Sequence, residues 1–220
     1  MNYNLYMTET TTDLYSLLEY LGNFLSDRNQ TISTAESCTG GWLGKEITGI
    51  PGSSKWFGTG LITYSNSAKV KILGVNKETL LKEGAVSESV VKEMVTGCIQ
   101  LGQADYGIAI SGIAGPGGGS KERPVGTVCF ALGNLEKIIT STMHFKGERD
   151  DVRNQSVLYA FTEINKFLKT YRGEGSKHLS GLLFVSYRYR DRYPLALETL
   201  VSKPILGLQS TLSPKTSILS

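Results

Sequence analysis

The sequence predicts an α/β protein in which helices cover a mixed sheet. Segments with helical spacing alternate with short β-branched or apolar runs along the chain. A length of 220 residues supports one domain with a sizeable core. A hydrophobic content of 40% beside 20% charged residues is ordinary for a soluble globular protein.

Residues 12–27 place Leu14, Leu17, Leu18, Leu21, Phe24 and Leu25 on one helical face. Thr31-Ile-Ser-Thr34 reads as a strand that runs into the turn Thr34-Ala-Glu-Ser-Cys-Thr-Gly-Gly41. Trp42, Leu43 and Ile47 mark a short helix closed by Gly49 and Pro51. Gly60-Leu-Ile-Thr-Tyr-Ser65 reads as a second strand, with Asn66 as the N-cap of a helix carrying Ala68, Lys69 and Ile72. Another helix begins at Ser87. Tyr106–Ser111 reads as a buried strand and Val125–Leu132 as an apolar one, with Lys137–Phe145 as its hairpin partner. The last helix, Arg149–Tyr171, turns Val157, Phe161, Ile164 and Leu168 inward. Residues 10–172 thus form the expected domain, and residues 173–220, with three of the six prolines and no sustained period, read as a C-terminal extension without regular structure.

Charge and cysteine usage exclude several classes. Residues 1–172 hold 17 Lys/Arg and 17 Asp/Glu, so the whole net charge of +3 falls in the tail. A neutral body has no electrostatic footprint for nucleic acid, and any anion it binds should be small and locally held. No apolar run approaches the roughly 20 residues of a membrane span, and the N-terminus lacks a basic region followed by an apolar one. The expected location is the cytoplasm. Cys38, Cys98 and Cys129 are odd in number and widely spaced, which fits neither a disulfide framework nor a zinc site.

Three loops concentrate the residues that can carry chemistry. In Glu36-Ser37-Cys38-Thr39-Gly40-Gly41 a hydroxyl sits between a strand and a helix start, where backbone N–H groups can hold an oxyanion or phosphate; a plain N-cap turn uses the same residues. In Thr63-Tyr64-Ser65-Asn66-Ser67-Ala68-Lys69, Tyr64 and Lys69 can converge on one point, and a desolvated lysine near a helix N-terminus is a usable base; a strand-end aromatic beside a solvated lysine is the plainer account. In Ser111-Gly-Ile-Ala-Gly-Pro-Gly-Gly-Gly-Ser120 the glycines let backbone amides approach an anion, or simply form a ligand-free loop. Gly118 stands where a phosphate-binding P-loop has its lysine. Arg149, in Gly147-Glu-Arg-Asp-Asp-Val-Arg153, can meet a substrate phosphate or pair with neighbouring acids.

Familiar alternatives fall away. Only His144 and His178 are present, so a Ser-His-Asp triad would rest on a strand histidine. No G-x-S-x-G elbow surrounds Ser37, and Ser89-Val-Val-Lys92 is an S-x-x-K match inside an amphipathic helix. Tyr64 and Lys69 are five apart rather than the four of Tyr-x-x-x-Lys dehydrogenases. No cluster supplies three plausible metal ligands.

The motifs TAESCTGG, PGSSKWF, TYSNSAK, GAVSE, ISGIAGPGGGS, ERPVGTV and GERDDVR occur in that order. Together, across roughly residues 13–172, they resemble the CinA C-terminal domain family, whose enzymatic members are nicotinamide mononucleotide (NMN) deamidases of the PncC type. The resemblance implies a single three-layer α/β/α sandwich, usually homo-oligomeric, with no metal or other cofactor. It implies hydrolysis of the NMN carboxamide to nicotinate mononucleotide and ammonia, with a small-molecule nucleotide as the partner. By motif, Ser37 would be the nucleophile and Tyr64 and Lys69 its activating partners. Thr39, Gly40 and Gly41 would stabilise the oxyanion, and Ser111, Gly112 and Arg149 would hold the nucleotide. Larger members carry an N-terminal molybdopterin-binding-like domain with pyrophosphatase activity, for which there is no room before residue 13, so that activity is not expected. A non-catalytic nucleotide-binding regulator linked to competence or DNA damage is the alternative.

Overall fold

The computed structural model describes the backbone of residues 4–171 and the side chains of residues 14–171. Five strands form one sheet in the order β2-β1-β3-β4-β5. They are β1 (Ile32–Glu36), β2 (Phe57–Ile62), β3 (Tyr106–Gly112), β4 (Thr127–Gly133) and β5 (Ile138–His144). β1 lies parallel to both β2 and β3, while β3, β4 and β5 run antiparallel in turn. The sheet is therefore mixed, as expected.

Helices cover both faces. On one side α1 (Asn4–Ser26), α2 (Trp42–Thr48) and α6 (Arg149–Thr170) pack Leu18, Leu21, Leu25, Leu43, Ile47, Phe161 and Ile164 against Ile108, Ile110 and Phe130. On the other, α3 (Asn66–Leu73), α4 (Lys77–Glu83) and α5 (Glu88–Gly102) pack Leu73, Leu80, Val91, Met94 and Val95 against Ala35, Ala109 and Ala131. The alternation of β3 explains the division, since Ile108 and Ile110 face one layer and Ala109 the other. Small residues on the second face let α5 lie close to the sheet. The fold is the three-layer α/β/α sandwich.

The chain path singles out the end of β1. From β1 it passes through α2 to β2 on one side, then returns through α3, α4 and α5 to β3 on the other. The carboxyl end of β1 is thus a topological switch point, where open α/β sheets leave room for ligands.

Local chemistry sets the element ends. Ser87 caps α5 by accepting the Val90 amide. The Glu148 carboxylate accepts from the backbone of Asp151 while the Asp151 side chain accepts the Glu148 amide, closing a capping box at α6. Two expectations shift. Ser65, not Asn66, caps α3, its Oγ accepting the Ala68 amide at 3.1 Å from an extended backbone. The second strand ends at Ile62 rather than Ser65: the Thr63 amide still donates to the Glu36 carbonyl at 2.8 Å, and the cap then turns residues 64–65 away into α3. Helix α4 and a 3₁₀ turn at Ser53–Lys55 were not expected from periodicity; each spans seven residues or fewer.

The expected extension, residues 173–220, lies outside the described residues. Among those described, no helix is long and apolar enough to cross a membrane.

Gly97 tests the packing of α5. A Cβ there would collide with the backbone of Leu73 at the end of α3. Alanine is ordinarily preferred over glycine inside a helix by about 1 kcal/mol, so the steric clash must reverse that sign. Gly97→Ala is expected to lower stability by about 1–3 kcal/mol in urea unfolding, whereas a more stable variant would mean that α3 and α5 do not approach so closely.

Candidate functional site

The turn after β1 is held from three directions. The Ser37 amide donates to the Ile110 carbonyl at 3.0 Å, which keeps the first turn residue tied to β3. The Gly40 amide returns to the Ser37 carbonyl at 3.1 Å. Gly40 and Gly41 take φ values of 64° and 98°, a left-handed path that glycine follows without strain.

Helix α2 has no capping side chain at Gly41. The strand supplies one instead. Buried Glu36 accepts the amides of Gly41 at 3.0 Å and Leu43 at 3.1 Å on Oε2, and that of Gly44 at 3.1 Å on Oε1. A carboxylate is stabilised there both by the N–H groups and by the helix dipole. The Gly41 amide, expected to face an oxyanion, is thereby occupied by Glu36. From α6, Arg153 donates through Nε to the Cys38 carbonyl at 3.2 Å and through Nη2 to the Thr39 carbonyl at 3.1 Å. Its Nη1 meets Asp150 Oδ1 at 2.7 Å, and the guanidinium lies 5.0 Å from the Trp42 ring centroid.

Lys69 enters from the first turn of α3 and is only 1% exposed. Its Nζ lies 2.9 Å from Ser37 Oγ, 2.8 Å from the Thr63 carbonyl and 3.5 Å from the Tyr64 carbonyl. No carboxylate forms an ion pair with it among the described residues. Burial lowers its pKa below the ordinary lysine value, with a smaller opposing effect from the Cys38 thiolate. Burial also pushes the Cys38 thiol up to about 11, so at neutral pH it carries no charge that would hold a proton on Lys69. A neutral amine has two N–H donors and one lone pair. The two carbonyls can take the donors, which leaves the lone pair for the Ser37 hydroxyl.

The remaining candidates divide. Tyr64 approaches Lys69 through its carbonyl alone; its side chain is 61% exposed and its hydroxyl accepts from Arg149 Nη2 at 3.2 Å. Arg149 Nη1 donates to the Gly115 carbonyl at 2.7 Å, so this arginine joins the Tyr64 loop to the glycine-rich loop. Residues 116–120 of that loop are exposed. Ser111 is buried and donates to the Ala85 carbonyl at 2.7 Å, bracing the segment before α5. A Cβ on Gly112 would strike Val128 at 2.7 Å, so its glycine serves packing within the sheet. Thr39 is fully buried, and its hydroxyl has no hydrogen-bond partner among the described residues.

The structure therefore brings Ser37 and Lys69 together and sets Thr39, Gly40 and Gly41 in the same turn. Glu36 and Arg153 were not singled out from sequence. The available signals were an acid directly before a Ser-x-x-Gly turn, and the four-residue spacing of Arg149 and Arg153 on one helix face. His144 lies in β5 with no hydrogen bond to Ser37. Among the described residues, no group of three or more His, Cys, Asp or Glu could hold a metal ion.

The family model for the CinA C-terminal domain matches residues 14–168. The nicotinamide-nucleotide amidohydrolase PncC of Escherichia coli strain K12 is 53% identical over 156 residues, covering 70% of this chain and 94% of that protein. A putative competence-damage inducible protein of Symbiobacterium thermophilum is 45% identical over 169 residues, covering 73% of this chain and 40% of that protein. In three dimensions, a crystal structure of a competence-damaged protein (CinA) superfamily protein from Enterobacter cloacae superposes with a TM-score of 0.69 at 41% identity, covering 70% of this chain and 92% of that one.

The lowered pKa of Lys69 has a consequence for stability. Unfolded lysine holds its proton up to about 10.4, whereas the folded chain releases it at lower pH. Between the two values the unfolded state binds more protons, so stability rises with pH across that window. Wild type is therefore expected to gain on Lys69→Met as pH increases from neutral toward that upper limit, measured by urea unfolding. Parallel pH profiles for the two proteins would show that Lys69 titrates as a solvated lysine.

Proposed function

The chain belongs to the CinA C-terminal domain family, and on that premise we propose that it is an amidohydrolase that converts the carboxamide of NMN to nicotinate mononucleotide and ammonia. The observation that carries the reading is the buried Lys69 Nζ, without a carboxylate partner among the described residues, at 2.9 Å from Ser37 Oγ. The nicotinamide-nucleotide amidohydrolase name of the Escherichia coli relative supplies the substrate.

In the proposed reaction Ser37 Oγ attacks the carboxamide carbon while its proton passes to neutral Lys69. The carbonyl oxygen becomes a tetrahedral oxyanion. Its stabilisation falls to the Cys38 and Thr39 amides, because those of Gly40 and Gly41 already donate to the Ser37 carbonyl and Glu36. The Lys69 ammonium returns the proton to the amide nitrogen, the C–N bond breaks, and ammonia leaves an acyl ester on Ser37. Water then attacks that ester while Lys69 takes its proton, Lys69 passes that proton to Ser37 Oγ as the acyl C–O bond breaks, and the carboxylic acid is released.

Tyr64 contributes its carbonyl, which helps orient the Lys69 amine. Arg149, with Tyr64 and the glycine-rich loop beside it, is the cation suited to the nucleotide phosphate. Cys38 is a poor competitor as nucleophile, since burial keeps its thiol protonated. Three free, buried cysteines suit a reducing cytoplasm. A regulator that only binds nucleotide would have no use for a desolvated lysine against a serine.

Ammonia release from NMN, nicotinamide, NAD and glutamine tests the proposal. Wild type should act on NMN, Ser37→Ala and Lys69→Met should each lose about 10³-fold or more in kcat, and Cys38→Ala should stay within about tenfold. Full activity in Ser37→Ala, or no release from any of the four compounds, would sink it.

A further inference from the structure

Arg153 forms no hydrogen bond with Ser37 or Lys69, yet it grips the two carbonyls that follow Ser37. We propose that Arg153 is a positioning residue which aims and polarises the Cys38–Thr39 peptide as the oxyanion donor. The proposal rests on the amidohydrolase reading above.

The direction follows from peptide geometry. In a trans peptide the C=O and N–H groups point opposite ways. The Cys38 carbonyl turns toward Arg153 on α6, whose Val152 and Val157 belong to the core layer shared with α1 and α2. The Thr39 N–H of that same peptide must then point away from α6. That is the side from which α3, packed in the opposite layer through Leu73, brings Lys69 to Ser37. Among the described residues no carbonyl or carboxylate accepts the Thr39 amide.

The second prong closes the turn. Nη2 holds the Thr39 carbonyl, and the Gly40 N–H of that peptide donates back to the Ser37 carbonyl at 3.1 Å. One guanidinium thus fixes the peptide that carries the donor and the peptide after it. Its positive charge also draws electron density along the Cys38 carbonyl, which strengthens the N–H at the far end of the peptide as a donor. The guanidinium is itself held by Asp150 at 2.7 Å and lies over Trp42. A lysine ammonium would keep the charge but could not span both carbonyls, because it lacks the rigid fork.

Removing one oxyanion donor outright costs about 10²–10³ in kcat; misaiming one should cost about 10- to 100-fold. The expected result for Arg153→Lys and Arg153→Ala in the full chain is a fall in kcat of that size for NMN, with KM changed less than about threefold. Millimolar ethylguanidinium should restore part of the activity of Arg153→Ala and none of Arg153→Lys. A parallel arm needs no nucleotide: the rate at which a fluorophosphonate labels Ser37, read by mass spectrometry, should fall in the same proportion, since the phosphoryl oxygen uses the same donor. A wild type that is labelled but releases no ammonia from NMN would defeat the substrate reading, and slower labelling of the variants would still support Arg153. Labelling rates equal to wild type, or a loss confined to KM, would overturn the assignment, as would a folded Arg153→Ala with full kcat. If Arg153→Ala does not fold, Arg153→Lys decides on the same two readouts.

Discussion

Much of this structure depends on one amine kept dry. Lys69 is nearly inaccessible and pairs with no carboxylate among the described residues, so only neutral oxygens stand beside its amine. Burial there lowers the lysine pKa, which moves its amine toward the neutral form that can act as a base. The same burial that costs folding stability below the ordinary lysine pKa prepares the proton acceptor for Ser37. The carbonyls of Thr63 and Tyr64 complete the arrangement by giving the amine's own hydrogens somewhere to go. The charged residues that do lie close are engaged elsewhere: Glu36 with three amides of α2, and Arg153 with Asp150 and two carbonyls.

The sheet topology makes that contact possible. Ser37 leaves the inner strand β1, while Lys69 arrives on the helix that follows the neighbouring parallel strand β2. Because β1 and β2 are parallel, both chains turn at the same edge of the sheet, and the Thr63 amide still donates to the Glu36 carbonyl at 2.8 Å as they separate. Ser65 then caps α3 and starts the helix at once, so that its fourth residue, Lys69, lies over the end of β1. A strand that ran on to Ser65 would have carried the lysine past the serine. Shortening β2 is therefore part of how the site is built.

Legibility in the sequence follows the range of the interaction. Local patterns revealed α1 from its leucines, the β4–β5 hairpin from two apolar runs, and the α6 face from Val157, Phe161, Ile164 and Leu168. The nucleophile turn and the lysine were visible as unusual residues in unusual company, and the family motifs joined them. The partners of these groups were less visible. Glu36 looks like any strand-end acid until the amides of α2 close on it. Arg153 lies 115 residues from Cys38, and nothing local marks which carbonyls it will hold. Ser111 shows the converse: a hydroxyl beside a glycine loop resembles a ligand contact, yet its hydrogen bond goes to Ala85 within the fold.

The choice of serine over its neighbour shows how fully the surroundings decide. Cys38 is the intrinsically better nucleophile, and it adjoins Ser37 in the same turn. Reactivity, however, belongs to the thiolate, and Cys38 is buried in the apolar layer with its pKa pushed up to about 11. Ser37 is an alcohol with almost no ionised form at neutral pH, but it lies 2.9 Å from an amine that can take its proton as the new bond forms. General-base assistance is useful only to a group that is not already ionised, and the Lys69 amine makes its hydrogen-bond contact with Ser37 Oγ, not with the Cys38 thiol. A one-residue shift of the turn would exchange the two side chains between core and crevice. The Ser37 amide on Ile110, the Glu36 cap and the Arg153 fork all act against that shift, which is why the bracing of the backbone matters as much as the lysine it serves.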